Sequence, residues 1–174
     1  PMACQLAPRP IASASLTAEQ RHADLDFLVD TIEQWHPNPF WQTARSRWDR
    51  RVRALQEHVL ECTDAEFYFE LLELTALVAD THTNLVATPE AGILSGSFPV
   101  RFRSYQGEVV VRAAGEPYGD MVGCAVMTVG GVPIDEAISR LAALVPGEND
   151  RVRETVALSL LYLPQACAYV GLTC

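Results

Sequence analysis

The segment Asp80-Thr81-His82-Thr83 combines side chains that could perform acid–base chemistry. Imidazole is well suited to accept a proton near neutral pH, and a neighbouring carboxylate or hydroxyl can fix its tautomer. The segment follows an apolar helical run, so His82 would be tethered to the core while its ring faces a cleft. A structural role is the alternative, because histidine can bond the last carbonyls of a helix and Asp or Thr can satisfy turn donors. Spacing alone leaves both interpretations open.

A second histidine lies in the segment His36-Pro37-Asn38-Pro39-Phe40, which is typical of a helix end followed by a turn. Two prolines prevent the helix from continuing and favour extended backbone before them. A metal site built from His36, Asp80 and His82 is conceivable, but no two ligands have the H-x-x-x-H spacing that places both on one helical face. We therefore expect neither a metal nor a cofactor.

The chain offers no recognisable nucleophile for a hydrolase. Ser95, Ser97 and Ser104 lie outside any G-x-S-x-G turn, so a complete catalytic triad cannot be assembled from these residues. All 13 basic residues are arginines, which excludes a Ser/Lys dyad, a Schiff-base lysine and a phosphate-loop lysine within the chain. Hydrolysis by these 174 residues alone is not expected.

Composition limits the class of protein and its partners. An apolar fraction of 49% can supply a buried core, and no run approaches the length of a membrane span. The net charge of -9 disfavours nucleic acid, whose phosphates would be repelled. The five cysteines include no C-x-x-C pair and form no recognisable disulfide framework. Nothing in the composition indicates an oligomeric state.

Apolar periodicity predicts an α+β fold that begins with a three-helix bundle. Capping boxes at Thr17 and Thr63 predict helices over about 17–36 and from 63 onward, and a stripe of apolar residues from Trp48 to Val59 predicts a helix between them. After Pro89 the period changes to two, which predicts a hairpin with its turn at Tyr105-Gln106-Gly107 and a short strand from Ala125 to Val129 that ends at Gly130-Gly131. Two further helices are expected, one after residue 133 and one from 149 to about 163.

These elements predict three segments. Residues 1–15 should be a disordered linker or leader remnant, 16–90 a helical domain, and 91–174 a β-rich unit with C-terminal helices. The opening tetrapeptide, with Ala3 before Cys4, resembles the end of a bacterial lipoprotein signal. We therefore expect an extracytoplasmic location, whether periplasmic, secreted or lipid-anchored.

The order of these segments resembles that of tail-specific (C-terminal-processing), tricorn-core-like serine peptidases. Residues 24–40 resemble the opening helix of that family, and residues 77–83 (LVADTHT) are similar to its L-x-D-G-H-T segment. The strand at 98–102 follows, and residues 122–134 resemble the PDZ-like G-x-x-V-x-x-I-x-G-x-P element. The resemblance covers the chain from about residue 20 to its end.

The resemblance implies a role for the histidine segment. In the tricorn-like branch the residue matching His82 is the general base, and the hydroxyl residue before it, here Thr81, orients it. In the branch with a Ser/Lys dyad the base is a downstream lysine, and this histidine is structural. Thr81 also departs from the glycine that many members have at this position. The family's serine, oxyanion hole and acid belong to a separate α/β core that nothing in this chain matches.

Two functions are therefore expected to compete. The first is an N-terminal, substrate-gating portion of a serine endopeptidase, with a peptide or protein as substrate and the missing catalytic core of the same polypeptide as its partner. The second is a non-catalytic module that binds a peptide or a hydrophobic ligand through the PDZ-like β unit, with the strand edge near residues 98–112 as the docking surface.

Overall fold

The computed structural model describes residues 15–87, 93–94 and 96–172, and its fold is α+β, as predicted. Within those ranges the helical bundle comes first, a hairpin and a small second sheet follow, and helices close the chain. The elements are α1 (Ala18–Trp35), α2 (Arg45–His58), α3 (Asp64–Ala76), β1 (Val100–Tyr105), β2 (Glu108–Ala114), β3 (Thr128–Val129), β4 (Val132–Pro133), α4 (Ile134–Ala142), α5 (Asp150–Ala157) and α6 (Pro164–Tyr169).

Both predicted capping boxes form. The Thr17 hydroxyl accepts the N–H of Gln20 at 3.3 Å, and the Gln20 side chain accepts the N–H of Thr17 at 2.8 Å. Thr63 and Glu66 make the same reciprocal pair at the start of α3. Each box satisfies two backbone donors that have no partner within the helix, and this fixes where α1 and α3 begin.

Helix α3 connects two apolar cores. One of its faces packs into the bundle with α1 and α2, around Trp48, which is 1% exposed. Its other face places Phe69 and Leu72 in a second core with β2 and the C-terminal helices. Because one helix serves both cores, the β unit is anchored to the bundle by continuous packing. The division of the chain near residue 90 stays a prediction.

A buried arginine joins α1 to the turn between α2 and α3. Arg21 is 6% exposed, and its guanidinium donates to the carbonyls of Val59 and Cys62 and to the Asp64 carboxylate, the last at 2.7 Å. A buried charge is tolerated only when it is paired and hydrogen-bonded. Arg21 therefore supplies a donor to two main-chain carbonyls and an ion-pair partner to Asp64.

The hairpin has β1 at its edge and β2 in its interior. Gln106 and Gly107 both have positive φ, 52° and 86°, which suits the two-residue turn whose twist matches that of the flanking strands. On the side away from β1, the main chain of β2 bonds residues 123–126, and Val110 bridges to Ala125. Within the described residues, β1 pairs only with β2.

The C-terminal helices differ from the prediction in number and length. The helix capped by Asn149 ends at Ala157 instead of near 163, and Pro164 begins a further helix, α6. Proline suits the first helical position because its missing N–H would have no intrahelical partner there. Of the predicted leader segment, only Ser15 lies within the described residues. No helix in the described ranges is long and apolar enough to span a bilayer.

Candidate functional site

The carboxylate of Asp80 organises the loop that follows α3. The chain leaves the helix through Ala79, a buried residue with φ of 57°. Asp80 then accepts the main-chain N–H of His82 at 3.1 Å and the hydroxyl of Thr83 at 2.7 Å. The bond from Thr83 contributes most to holding the pKa of the Asp80 carboxyl below its ordinary value, and the bond from His82 acts in the same direction. Burial acts in the opposite direction and is outweighed. Asp80 is therefore an anion at neutral pH.

His36 reaches the same carboxylate from the end of α1. The main-chain N–H of Asn38 donates to His36 Nδ1 at 3.2 Å, so the neutral ring carries its proton on Nε2. That nitrogen lies 3.1 Å from Asp80 Oδ2 and donates to it. Because both ring nitrogens are hydrogen-bonded, His36 connects the turn after α1 to the loop after α3. Its segment does end a helix as expected, since α1 ends at Trp35.

His82 lies at the surface of this fixed loop. Its main-chain N–H is bonded to Asp80, whereas its ring has no hydrogen bond to any residue of the described ranges. The side chain is exposed and borders a groove of about 830 Å³. The residue is therefore anchored through its backbone, and the imidazole stays accessible to an external group.

Thr81 is held by a residue distant in sequence. Its N–H donates to a carboxylate oxygen of Glu148 at 3.1 Å, and its hydroxyl donates to the same oxygen. These bonds lower the pKa of the Glu148 carboxyl, with the hydroxyl as the largest cause. Thr81 thus connects the loop of residues 80–83, here called the histidine loop, to the segment between α4 and α5. The Thr81 hydroxyl bonds Glu148 instead of the His82 ring.

The groove beside His82, here called the histidine groove, is mostly apolar. Trp41 donates its indole N–H to the carbonyl of Val78 at 3.2 Å, which fixes the ring at the groove wall. Trp35, at the end of α1, is 80% exposed. The residues lining the groove are Leu28, Thr31, Ile32, Trp35, His36, Pro37, Asn38, Trp41, Thr75, Asp80, His82, Thr83 and Asn84.

The described residues do not complete a catalytic site around His82. No serine lines the histidine groove, Ser97 and Ser104 are exposed in or near the hairpin, and Ser95 lies outside the described residues. Asp80 brings His36 close, yet no cluster of three or more His, Cys, Asp or Glu side chains in the described part could hold a metal ion. The arrangement can supply one accessible imidazole beside an apolar surface.

Two contacts of the site have no signal in the sequence. The bond between His36 and Asp80 spans 44 residues, and that between Thr81 and Glu148 spans 67. The proline pattern marks the helix end at His36 but not the direction of its ring. Glu148 lies in a Pro-Gly turn, where a surface carboxylate is ordinary.

Comparison of the chain with protein-family models, with curated proteins and with solved structures gives no match. Function is therefore inferred from the residues of the loop and of the histidine groove.

Proposed function

We propose that the chain is the N-terminal, substrate-gating portion of a serine endopeptidase of the tail-specific, tricorn-core-like type, and that His82 is its general base. The observation that carries this proposal is an exposed imidazole on a loop held by Asp80, His36 and Glu148. A general base must be both accessible and fixed in position. A purely structural histidine would gain its fixation from bonds to its ring, as His36 does.

The chemistry follows from these positions. A serine hydroxyl, supplied by the proposed α/β core, donates its proton to an imidazole nitrogen of His82 as its oxygen attacks the scissile carbonyl. The imidazolium then returns that proton to the amine that leaves. The Asp80 carboxylate accepts the main-chain N–H of His82 and so fixes the backbone from which the imidazole projects.

The apolar histidine groove supports the substrate-gating part of the proposal. Its walls include Trp35 and Trp41, and His82 lies at its border. Apolar walls can receive the side chains of an unfolded or extended substrate and exclude water from the reacting bond. We propose an extracytoplasmic location for the whole protein.

The test uses the complete polypeptide and a fluorogenic peptide substrate. His82→Ala should lower kcat by about 10² to 10⁴, as loss of a general base does. His22→Ala, on α1 and outside the histidine groove, is the matched control and should leave kcat unchanged. The isolated chain should not cleave the substrate.

Two results would contradict the proposal. One is full activity of the His82→Ala enzyme. The other is peptide cleavage by the isolated chain with one of its own serines acylated by an inhibitor. The competing binding module predicts instead that the complete protein cleaves nothing and that peptide binding survives His82→Ala.

A further inference from the structure

A cleft of about 600 Å³, here called the polar cleft, lies between the bundle and the C-terminal helices. It borders the first turns of α2 and α5 and the last turns of α3 and α4. It shares no lining residue with the histidine groove, and no residue of β1 or β2 borders it. Four helices therefore bring their ends to one concave surface that the proposed peptidase chemistry does not use.

The helix ends give the polar cleft partial charges of both signs. The first N–H groups of a helix carry partial positive charge and the last C=O groups carry partial negative charge, because neither set has partners within the helix. Ala44, the N-cap of α2, makes no side-chain capping bond, and the main-chain N–H groups of Arg45 and Ser46 have no hydrogen-bond partner among the described residues. Such free donors at a helix start can bind an anionic group.

The hydroxyl of Thr43 is a buried polar group beside these donors. Thr43 is 8% exposed and borders the polar cleft just before α2 begins. No residue of the part of the chain that the structure describes forms a hydrogen bond with its side chain. A buried hydroxyl without a partner costs free energy, so such groups in native proteins are usually hydrogen-bonded. Thr43 is therefore an observation, independent of the helix ends, that points to a polar ligand in this cleft.

Two unpaired charges of opposite sign border the polar cleft from its two sides. Arg47 lies on α2 of the bundle and Glu154 lies on α5. Within the described ranges neither forms an ion pair, with the other or with a third residue. A molecule that carries both charges can contact both side chains. The remaining charged side chains of the lining are already paired, Glu73 with Arg51 and Arg153 with Asp150.

An ion of a single sign fits the polar cleft less well than a zwitterion. A simple anion meets the carboxylates of Glu73, Asp150 and Glu154 in the same lining. A simple cation leaves the Thr43 hydroxyl, Arg47 and the free N–H groups of α2 without a partner. A molecule with a carboxylate and an ammonium group satisfies both sets.

We propose that the polar cleft binds a small zwitterion, a free amino acid with an aliphatic side chain. Its carboxylate accepts from the Thr43 hydroxyl and the first N–H groups of α2 and pairs with Arg47. Its ammonium group pairs with Glu154 and with carbonyls at the last turns of α3 and α4. Leu77 and Val145 supply apolar contacts for the side chain. The inference is independent of the proposed peptidase activity.

The test measures binding of L-alanine, L-valine and L-leucine to the full chain by isothermal titration calorimetry. Arg47→Gln and Glu154→Gln should each raise Kd by about 3- to 10-fold, because each removes one charged partner. Thr43→Val keeps the side-chain shape without the hydroxyl and should have an effect of similar size. Arg53→Gln and Glu57→Gln, exposed on α2 outside the polar cleft, are the matched controls and should change Kd less than about twofold. Circular dichroism of each variant verifies folding.

Two altered probes separate the two charges of the ligand. Leucine amide lacks the carboxylate and N-acetylleucine lacks the ammonium group, so each should bind at least about tenfold more weakly than leucine. Amide chemical shifts in a nitrogen-15-labelled sample locate the site. Leucine should move the resonances of Arg45 and Ser46 at the start of α2, and it should leave those of β1 and β2 in place.

Several outcomes would overturn the inference. They are the absence of saturable binding of all three amino acids up to about 10 mM, equal affinity for leucine and either blocked derivative, and equal effects of Arg47→Gln and Arg53→Gln. Binding of inorganic phosphate as tight as that of leucine would also overturn it and would assign the cleft to anions alone.

Discussion

Replacing Asp80 by asparagine tests whether one carboxylate holds the histidine loop. Oδ2 of Asp80 accepts two donors, the Thr83 hydroxyl at 2.7 Å and His36 Nε2 at 3.1 Å, and Oδ1 accepts the N–H of His82. Asparagine keeps the shape but turns one acceptor oxygen into a donor. In either orientation of the amide, its NH₂ group therefore faces a hydrogen-bond donor of the protein: His36 and Thr83 on one side, or the N–H of His82 on the other.

The magnitude follows from the bonds and their exposure. Hydrogen bonds to a charged group contribute about 1.5–3 kcal/mol each. The Asp80 side chain is 23% exposed, so the lower end of that range applies. If the two bonds to Oδ2 are weakened, Asp80→Asn should lower the free energy of unfolding by about 2–3 kcal/mol. Asp26→Asn, an exposed residue on α1, is the control and should change it by less than about 0.5 kcal/mol.

The effect of this substitution should depend on pH. The pKa of Asp80 is lowered from its ordinary value of 3.8, with the Thr83 hydroxyl as the main cause. A lowered carboxyl pKa means that the stabilisation is fully present above the pKa of the unfolded chain and is lost as pH falls through that of the folded protein. The difference between wild type and Asp80→Asn should therefore be largest at neutral pH and should shrink below about pH 4.

Urea unfolding followed by circular dichroism at several pH values measures both the loss of unfolding free energy and its dependence on pH. Equal stabilities of wild type and Asp80→Asn at pH 7 would refute the assigned role of the carboxylate. A difference that stayed constant from pH 7 to pH 2.5 would show that the substitution acts through something other than the charge of Asp80.

Two other predictions concern the bundle. Arg21→Ala should lower the free energy of unfolding by about 3–5 kcal/mol in urea, because it removes a buried guanidinium that pairs with the Asp64 carboxylate and donates to two carbonyls; a loss below 1 kcal/mol would contradict this. Thr63→Ala should lower it by about 1 kcal/mol through loss of the α3 cap, and Thr63→Ser should restore most of that. An equal loss in both Thr63 variants would argue against the capping explanation.

The parts of the fold that the sequence predicts well depend on neighbouring residues. The capping box at Thr63 needs only Glu66, three positions away, and the hairpin turn needs only two residues with positive φ. The last helix is where local pattern misleads, because an apolar run through residues 156–163 continues past the end of α5. Its side chains pack as a turn in the second core, and Pro164 starts a new helix.

The histidine site also has features that neighbouring residues predict and contacts that they do not. The pattern identifies His82 as following a buried helix, and the structure places it there on an exposed loop. His36, which donates to Asp80, and Glu148, which accepts from Thr81, belong to other parts of the fold. These two contacts depend on how α1 and the segment before α5 pack against α3. Such contacts depend on the arrangement of the elements in space, which no local spacing encodes. The nucleophile and acid of the proposed peptidase stay a prediction.

The placement of the three tryptophans gives the histidine groove an optical signal of its own. Trp48 is 1% exposed in the bundle core, whereas Trp35 and Trp41 are 80% and 48% exposed at the groove. An aqueous quencher such as iodide should reach the latter two and spare the first. The red-shifted emission of the exposed Trp35 and Trp41 should then report binding near His82, and the blue-shifted emission of the buried Trp48 should report unfolding of the bundle. Neither signal needs a label attached to the protein.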